Sequence, residues 1–481
     1  MSLASAKHRL RTRSPSSILL ESNVLLPIPP TPFPDVASAD TTLRNALTSL
    51  AAAEPDYWSF RGRAARDAGH GLFQYPAMMV PQMLGALLEA ILKANPRAKS
   101  VLDPFMGSGT VLTEAMLRGL DFHGQDINPL AVLVSRTKCG TLNTAALRPA
   151  IEQVSSSAAR DLNTQCEADF RNLGKWFRDA VAADLSRLRR AIRKQNDLHV
   201  RRFLWVALAE TVRLSSNSRL STVKLHIRSL KDRRSRRIDV MATFSRVAAA
   251  NLKELETFAG GLQAKRLLVD GSYGGSVAVS FGDTAKLVGK SDHLHDVLLT
   301  SPPYGDNATT VTYGQHAYLP LQWIDHADID PAMDADYLRT THEIDRRSLG
   351  GSRRIDKEAV KELVARSRTL RATLASLPEK PKDRRARVIS FVRDLDSTLD
   401  PILSALKPGA LMVWIIGNRH VARQRIPTDS ILAELLTNRG AVEVHRLERR
   451  IASKRMAPKN ATTGTMTKET ILVMRRRPKN A

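Results

Sequence analysis

The chain has 481 residues, enough for two or three domains, and its apolar content of 43% supports a substantial core, which excludes a chain that is disordered throughout. Its 73 Lys and Arg against 48 Asp and Glu give a net charge of +25, so a polyanionic partner is expected. No apolar run reaches the roughly 18 residues of a membrane span. Two cysteines without a CxxC pair argue against a disulfide framework or a structural zinc site and fit a reducing cytoplasm.

Short apolar strands and helical stripes alternate in the first part of the chain. Residues 1–65, which begin with a segment rich in Ser and Pro, are expected to form a loosely ordered N-terminal arm. Apolar residues at helical spacing then predict a helix opened by proline. The elements predicted here are a helix at 81–93, a strand at 100–103, a helix at 110–118 and a strand at 121–126.

The middle of the chain has a different pattern, with two helical stripes and clusters of basic residues. It predicts a helical insertion over residues 141–275 inside an α/β domain that comprises residues 66–140 and 276–478. Residues 330–395 are a second basic, mostly helical segment within that domain. The later strands are predicted at 277–281, 296–300 and 411–416, followed by a closing hairpin of 442–447 and 470–474.

A glycine-bearing loop, DPFMGSGT at residues 103–110, lies between the first predicted strand and a helix. Gly107 and Gly109 permit a tight turn and let a ligand approach the backbone. The loop lacks both the lysine of a phosphate-binding P-loop and the GxGxxG pattern, which disfavours binding of nucleotide phosphates. Asp126 ends the next strand, where a carboxylate can accept hydrogen bonds from ribose hydroxyls. The alternative is that Asp126 only caps the following helix.

A rigid proline bend, TSPPY at residues 300–304, follows another buried strand. The amino group of a nucleobase is a weak nucleophile because its lone pair is delocalised into the ring. Two acceptors within about 3 Å of that nitrogen would favour the more reactive geometry. The Ser301 side chain and the Pro302 carbonyl can supply them, and Pro302 and Pro303 stiffen the loop. Tyr304 offers a face on which an extruded base can stack.

The first loop and the segment GQDINP at 124–129 resemble motifs I and II of the S-adenosylmethionine-dependent DNA amino-methyltransferases. The resemblance implies that Asp103 faces the amino-acid part of the cofactor and that Phe105 packs near its adenine. The other cofactor contacts that it implies in these two motifs are Gly107, Gly109, Thr110 and Asp126.

Two further segments are similar to motifs X and III of that family. FQYP at 73–76 resembles motif X, which covers the methionine moiety, and Phe73 is its candidate contact, although a buried core aromatic is the simpler interpretation. FGD at 281–283 resembles motif III, whose acidic residue, here Asp283, reaches the adenine.

The proline bend resembles motif IV, and its serine form is typical of enzymes that methylate cytosine N4, whereas Asp and Asn forms are typical of adenine N6 enzymes. The resemblance implies a Rossmann-like class I methyltransferase with a mostly parallel seven-stranded sheet and a helical insertion. It implies direct attack of the base amino nitrogen on the methyl group of S-adenosylmethionine. Neither cysteine follows a proline, which disfavours the thiolate chemistry of cytosine C5 enzymes.

The expected function is therefore site-specific methylation of cytosine N4 in duplex DNA by a cytoplasmic protein, as the modification component of a restriction–modification or phage-defence system with a cognate endonuclease. Adenine N6 methylation, RNA methylation and a catalytically silent DNA-binding subunit are the alternatives. The insertion and the segment 330–395 are both candidates for DNA recognition. The candidate DNA-binding residues are Arg233, Arg234, Arg346, Arg347, Arg353 and Arg354.

Overall fold

The structure is a computed structural model that describes residues 36–54, 56–62, 68–287, 289, 293–352, 356–378, 383–451 and 466–477. The strands are β1 (Ser100–Asp103), β2 (Asp121–Asp126), β3 (Leu268–Val269), β4 (Ser272–Tyr273), β5 (Val277–Phe281), β6 (His295–Thr300), β7 (Leu406–Gly417), β8 (His420–Val421), β9 (Gln424–Arg425), β10 (Ala441–Arg450) and β11 (Lys468–Arg476).

The helices surround these strands, and four short 3₁₀ turns lie between them. The α-helices are α1 (Val36–Ala53), α2 (Pro81–Ala94), α3 (Thr110–Met116), α4 (Pro129–Gly140), α5 (Leu147–Arg160), α6 (Leu173–Trp176), α7 (Asp179–Arg193), α8 (Leu198–Ser215), α9 (Leu230–Ser235), α10 (Val240–Ala264), α11 (Tyr313–Leu321), α12 (His326–Ile329), α13 (Glu343–Arg347), α14 (Lys357–Arg366), α15 (Arg368–Ser376), α16 (Asp383–Ser404) and α17 (Thr428–Thr437). The 3₁₀ turns are Tyr57–Ser59, Thr144–Ala146, Thr284–Lys286 and Ala335–Leu338.

Seven strands form the main sheet, in the order β10-β11-β7-β6-β1-β2-β5. All run parallel except β11, which is antiparallel to both of its neighbours, β10 and β7. The central strand β1 pairs with β2 on one side and β6 on the other, so the strand order reverses direction beside it. The mostly parallel seven-stranded sheet predicted from the sequence is confirmed. In such sheets ligands bind beyond the carboxyl ends of the strands at this point of reversal.

Both faces of the sheet are covered by helices, which explains why the inner strands β6, β7 and β11 contain near-continuous apolar runs. Alternate residues of the central strands enter two separate cores. In β7, Val413 packs into the core under α2, α4, α8 and α10, whereas Trp414 packs into the core under α14–α17. The β11 residues Val473 and Leu472 divide in the same way. The result is a three-layer α/β/α arrangement built on the period-two alternation of a strand.

The helical insertion predicted between β2 and the third parallel strand is present as α5–α10, followed by the short hairpin β3–β4. Its helices α8 and α10 pack on each other, and α8 packs on α4, so the insertion thickens one face of the sheet. Asp197 caps the start of α8 by accepting a hydrogen bond from Val200 N at 2.9 Å. Within the described residues no helix is both long and apolar enough to cross a bilayer.

The prediction of a loosely ordered arm over residues 1–65 is wrong for part of its length, because α1 occupies Val36–Ala53. Ala39, Leu43 and Leu47 recur every four residues, and this stripe is buried against α2. The prolines of the preceding residues dominated the composition and masked that periodicity. Residues 1–35 lie outside the described part of the chain.

Candidate functional site

Four loops meet at the carboxyl edge of β2, β1, β5 and β6. The closest link joins the two central strands, where Thr300 at the end of β6 donates a hydrogen bond from Oγ1 to Asp103 Oδ1 at the end of β1, at 2.6 Å. Gly282 N, after β5, donates to the Asp126 carbonyl at 3.1 Å. Thr284 Oγ1 donates to the Pro104 carbonyl at 2.6 Å. Hydrogen bonds therefore connect the loops that follow these four strands.

The glycine loop after β1 has the backbone conformation that its sequence requires. Gly107 and Gly109 have φ angles of 52° and 74°, in the left-handed region where a side chain is strained. A Cβ atom on Gly109 would also lie 2.8 Å from Ser135 Oγ. On Gly107 a Cβ atom would come no nearer to another residue than 3.6 Å, at the ring of Tyr75, so the loop backbone stays accessible there. Thr110, the first residue of α3, is buried.

Asp126 holds the glycine loop against the turn that follows β2. Its Oδ2 accepts a hydrogen bond from Gly107 N at 2.8 Å, and its Oδ1 accepts one from Asn128 N at 2.8 Å. Burial raises the pKa of Asp126 to about 6, although these backbone donors act in the opposite direction. Asn128, rather than Asp126, caps α4, because Asn128 Oδ1 accepts from Leu130 N at 3.1 Å. The helix-capping alternative for Asp126 therefore fails, and a carboxylate remains at the strand end.

Tyr75, which the sequence did not single out, is the residue of the 73–76 segment that borders the glycine loop. Its hydroxyl accepts a hydrogen bond from Asn128 Nδ2 at 2.9 Å, and its ring stacks on Tyr313 with centroids 5.7 Å apart. Phe73 is only 2% exposed and packs edge-to-face on His316 at 5.7 Å. The structure thus gives Phe73 a place in the core, and its contact with a cofactor stays a prediction.

Asp103 is completely buried, and one of its oxygens has no partner among the described residues. Oδ1 accepts from Thr300 Oγ1 and, at 3.2 Å, from Phe105 N. No donor in the described part of the chain reaches Oδ2. Burial raises the pKa of Asp103 to about 7. A buried carboxylate oxygen without a donor suits a cationic ligand group, and the ammonium of the amino-acid part of S-adenosylmethionine has that chemistry.

The remaining two predicted cofactor residues lie at the same edge of the sheet. Phe105 is half-buried and packs against the core under α14–α17. Asp283 is also half-buried, and its Oδ1 accepts a hydrogen bond from Ala285 N at 3.0 Å, which caps the turn Thr284–Lys286. Both positions fit the expected adenine end of the site, and both roles stay predictions.

Ser301 is the first residue of the bend after β6, and its hydroxyl is oriented by β7. Oγ donates a hydrogen bond to the Ile415 carbonyl at 3.0 Å, so its lone pairs remain as acceptors. Pro302 is buried, and among the described residues nothing donates to its carbonyl oxygen. The two acceptors that the sequence assigned to an amino group are therefore adjacent and free to accept.

Tyr304 is anchored at its hydroxyl and keeps part of its side chain exposed. Its oxygen lies 3.1 Å from Ser301 Oγ and 3.1 Å from Glu469 Oε1 of β11. Burial and the Glu469 carboxylate raise the pKa of Tyr304 well above its usual value, so the phenol stays neutral. Its ring lies against Gly417, where a Cβ atom would be 2.4 Å from Tyr304 Cδ2. Glu469 also pairs with Arg449 of β10.

Sequence reasoning missed Glu469, Arg449 and a further buried pair that fixes the loop after Tyr304. Arg419 Nη1 lies 2.8 Å from Asp306 Oδ2 and donates to Thr309 Oγ1 at 3.0 Å. Both members of the pair are less than 10% exposed. No local motif marks these residues, because each partner comes from a different strand or loop. Their effect is to hold the bend at 301–304 rigidly against the ends of β7 and β11.

The predicted DNA-binding arginines have different environments. Arg346 and Arg347 both pair with the buried Glu343, at 2.7 and 3.0 Å, and the Arg347 guanidinium stacks on Tyr337 at 4.0 Å. These contacts give the two arginines partners within the protein, and their contact with DNA stays a prediction. Arg353 and Arg354 lie outside the described residues. In the insertion, Arg233 is half-buried and Arg234 is exposed.

Among the described residues there is no cluster of three or more His, Cys, Asp or Glu side chains placed to hold a metal ion. The titratable groups around the glycine loop are instead carboxylates and tyrosines. Asp345 accepts a hydrogen bond from Gly314 N at 2.9 Å, and burial raises its pKa to about 6. The site is thus acidic and partly desolvated where the cofactor is expected.

No protein-family model matches the chain. The chain is 29% identical over 439 residues to the type II methyltransferase M.MvaI of Kocuria varians, and the alignment covers 87% of this chain and 93% of that protein. It is 37% identical over 70 residues to the type II methyltransferase M.MjaII of Methanocaldococcus jannaschii, which covers 14% of this chain and 12% of that protein.

Among solved structures, an rRNA methyltransferase, aviRa of Streptomyces viridochromogenes, aligns over 83% of this chain and 86% of its own with 12% identity. The TM-score of 0.28 is too low for that alignment to support an argument. The similarity to M.MvaI extends the resemblance to methyltransferases from a few motifs to most of the chain, so that the predicted resemblance is confirmed.

Proposed function

We propose that this chain is a DNA methyltransferase that modifies N4 of cytosine in duplex DNA. The observation that carries the proposal is the hydrogen bond between Thr300 and Asp103. That hydrogen bond joins the loop expected to bind the cofactor to the bend expected to bind the base amino group. The similarity to M.MvaI, which spans 93% of that type II methyltransferase, supports methyl transfer.

The methyl donor is S-adenosylmethionine, which supplies an electrophilic methyl group when bound. Asp103 Oδ2 would accept a hydrogen bond from its ammonium, and Asp126 would accept from the ribose hydroxyls. The open backbone at Gly107 would allow close approach. Because Asp103 has a pKa near 7, it must lose its proton before it can pair with a cation.

The bend at 301–304 would hold the target amino group. Ser301 Oγ and the Pro302 carbonyl are adjacent acceptors, and accepting both N–H groups would localise the nitrogen lone pair. Tyr304 would provide the surface against which an extruded base stacks. Its neutral phenol, fixed beside Glu469, keeps that surface in one orientation. Catalysis in this arrangement depends on positioning, with no covalent intermediate on the protein.

The cytosine N4 assignment rests on the serine in the bend, and adenine N6 is the competing target. Duplex DNA and, in a parallel reaction, tRNA should each be incubated with the protein and labelled S-adenosylmethionine, then digested to nucleosides, and the labelled nucleoside should be identified. N4-methyl-2′-deoxycytidine is expected. N6-methyl-2′-deoxyadenosine as the sole product would refute the base assignment. Label only in tRNA, or no transfer despite cofactor binding, would refute the proposed function itself.

The role of Ser301 predicts a separation between binding and turnover. Ser301→Ala removes one acceptor and should lower kcat by roughly ten- to thousand-fold, as loss of one preorganised hydrogen-bonding group does elsewhere. Cofactor affinity measured by calorimetry should not change. The matched control is Ser272→Ala in β4, an exposed serine far from the bend, which should leave turnover intact. Equal turnover in both variants would remove Ser301 from the mechanism.

A restriction endonuclease of the same specificity is the protein partner that this function implies.

A further inference from the structure

We infer that residues 216–237, a segment between α8 and α10 here called the basic strap, form the surface that contacts the phosphates of the substrate DNA. This inference rests on the proposed function and names where the polyanion binds. The strap contains eight basic residues and one acidic residue, Asp232. The basic residues are Arg219, Lys224, Arg228, Lys231, Arg233, Arg234, Arg236 and Arg237.

The charge of the strap is not neutralised within the described part of the protein. Among the described residues, none of its eight basic side chains forms an ion pair. The Arg236 guanidinium has a structural role, because it donates to the carbonyls of Ser216 at 2.7 Å and Leu214 at 2.8 Å. The Nε atoms of Arg228 and Arg233 are buried and have no partner among the described residues. The other cations of the strap are available to an external anion.

Other arginines of the insertion provide the contrast. On α7, Arg189 and Arg193 both pair with Asp325, at 2.9 and 2.6 Å, and Arg190 pairs with Asp161 at 2.7 Å. Arg201 of α8 pairs with Asp328 at 2.8 Å. The sequence shows two basic clusters of similar density, but the structure neutralises the one on α7 and leaves the strap charged. An ordinary solvated helix face explains the basic cluster on α7. It does not explain the unpaired charge of the strap.

The backbone of the strap is held by hydrogen bonds within the segment and to its neighbours. Arg219 N donates to the His226 carbonyl at 2.8 Å, and Arg228 N donates to the Asn217 carbonyl at 2.9 Å. Two leucines of the strap, Leu220 and Leu230, are 36% and 53% exposed. Single exposed leucines are common on protein surfaces, so the unpaired charge of the strap is what marks it as a binding surface.

The strap borders the candidate active site through α11, which follows the bend at 301–304. Leu225 N donates to Gln315 Oε1 at 3.1 Å, and His316 of the same helix contacts the Gln74 carbonyl at 3.1 Å. Arg213, at the end of α8, donates to Gln74 Oε1 at 2.9 Å. A duplex lying along the strap would therefore pass beside the loops that hold cofactor and base.

DNA explains these features because a row of exposed cations releases the counterions of the phosphates that it contacts. The single carboxylate of the strap, Asp232, is too little to oppose eight cations. The alternative surface, the segment 330–395, has its described candidates Arg346 and Arg347 already paired with Glu343. The uncompensated charge thus favours the strap for the phosphate contacts.

The test measures duplex DNA affinity by fluorescence anisotropy over a series of salt concentrations. Arg234 and Arg237 are exposed, without side-chain hydrogen bonds among the described residues, and the variant is Arg234→Gln/Arg237→Gln. The slope of log K against log salt should fall by roughly 1 for each phosphate that is no longer neutralised, about 2 in all. Affinity near 0.1 M salt should fall on the order of tenfold or more. Cofactor affinity should stay unchanged.

The matched control is Lys93→Gln/Lys99→Gln, which removes the same charge from exposed positions in the last turn of α2 and just before β1, whose carboxyl end carries the candidate site. Its slope should equal that of the wild type. Equal slopes for all three proteins, or equal reductions in both variants, would overturn the inference. If the first variant unfolds, Lys224→Gln/Lys231→Gln, at two exposed lysines, replaces it.

The same data separate this inference from the proposed function. If the wild type methylates DNA and the strap variants bind DNA as the wild type does, the inference about the strap is refuted and the proposed function stands. A reduced slope in the variants without methyl transfer by the wild type would refute the function and leave the binding surface standing. Strap-dependent binding to tRNA but not to duplex DNA would overturn both.

Discussion

At the residue scale, the ionisation of Asp103 links the cofactor site to pH. The carboxyl group is fully buried, and desolvation raises its pKa to about 7. Thr300 and the Phe105 amide stabilise the carboxylate, but they do not offset the burial. A ligand cation at the free Oδ2 would do so, and the free protein therefore exchanges a proton for that cation when it binds.

Cofactor affinity is accordingly expected to depend on pH. Below pH 7 the folded protein holds Asp103 mostly protonated, so affinity for S-adenosylmethionine should rise roughly tenfold from pH 5.5 to pH 7.0. The α-amino group of the cofactor stays protonated over this range, because the ordinary pKa of such a group is near 8. Calorimetry at a series of pH values measures the rise, and Asp103→Asn should bind weakly with no such rise. A rise that persists in Asp103→Asn would assign the titration to another group, such as Asp126.

At the scale of elements, α1 contacts both the nearby helix α2 and the strands β10 and β11, which come last in the chain. Leu43 and Leu47 are each 1% exposed and pack toward α2. From the same helix, Arg44 Nε donates to the Val444 carbonyl of β10 at 3.1 Å, and Asp40 pairs with Arg475 of β11. The antiparallel edge of the sheet that positions Glu469 is thus braced by a helix distant in sequence.

Shortening a buried side chain on that face of α1 should lower the stability of the protein more than it lowers kcat. Leu47→Ala removes a buried side chain and should lower the free energy of unfolding by about 2–5 kcal/mol, measured by denaturant titration. Leu162→Ala is the control, because Leu162 is 89% exposed and its truncation should change stability by less than about 0.5 kcal/mol. Similar destabilisation in the two variants would show that α1 does not pack as described.

At the scale of the whole molecule, the cofactor site is built by loops from four parallel strands. The loops after β1 and β5 are joined by the bond from Thr284 to Pro104, and those after β1 and β6 by the bond from Thr300 to Asp103. A ligand bound across these loops contacts the sheet at its centre. Its binding free energy therefore adds to the stability of the folded domain.

S-adenosylmethionine should raise the thermal midpoint of the protein. At a concentration of about 100 times Kd, the added stability is about 2.7 kcal/mol. ATP at the same concentration should give no shift, because the loop at 103–110 lacks the lysine of a phosphate-binding loop. Differential scanning fluorimetry measures both. An equal shift with ATP would contradict a site specific for the sulfonium cofactor.

The sequence by itself determined where the central strands lie along the chain and where the loops that carry the chemistry lie. Residues 100–103, 121–126 and 277–281 are strands with the predicted bounds, and the predicted strand 411–416 lies within β7, where burial on both faces requires an apolar run that local sequence reveals. The motifs at 103–110, 124–129, 281–283 and 300–304 each begin in the last residues of a strand, whereas the segment at 73–76 precedes α2. The parallel topology then brings Asp103 and Thr300 together.

Only the tertiary structure decided which residues complete the site and which charges remain free. Glu469 reaches Tyr304 from a strand that lies 165 residues later, and Tyr75 rather than Phe73 borders the glycine loop. Arg189 is neutralised by Asp325, whereas Arg234 has no acidic partner among the described residues. The physical reason is that ion pairing, burial and hydrogen bonding depend on distances between groups far apart in the chain, which the local pattern of residues does not contain.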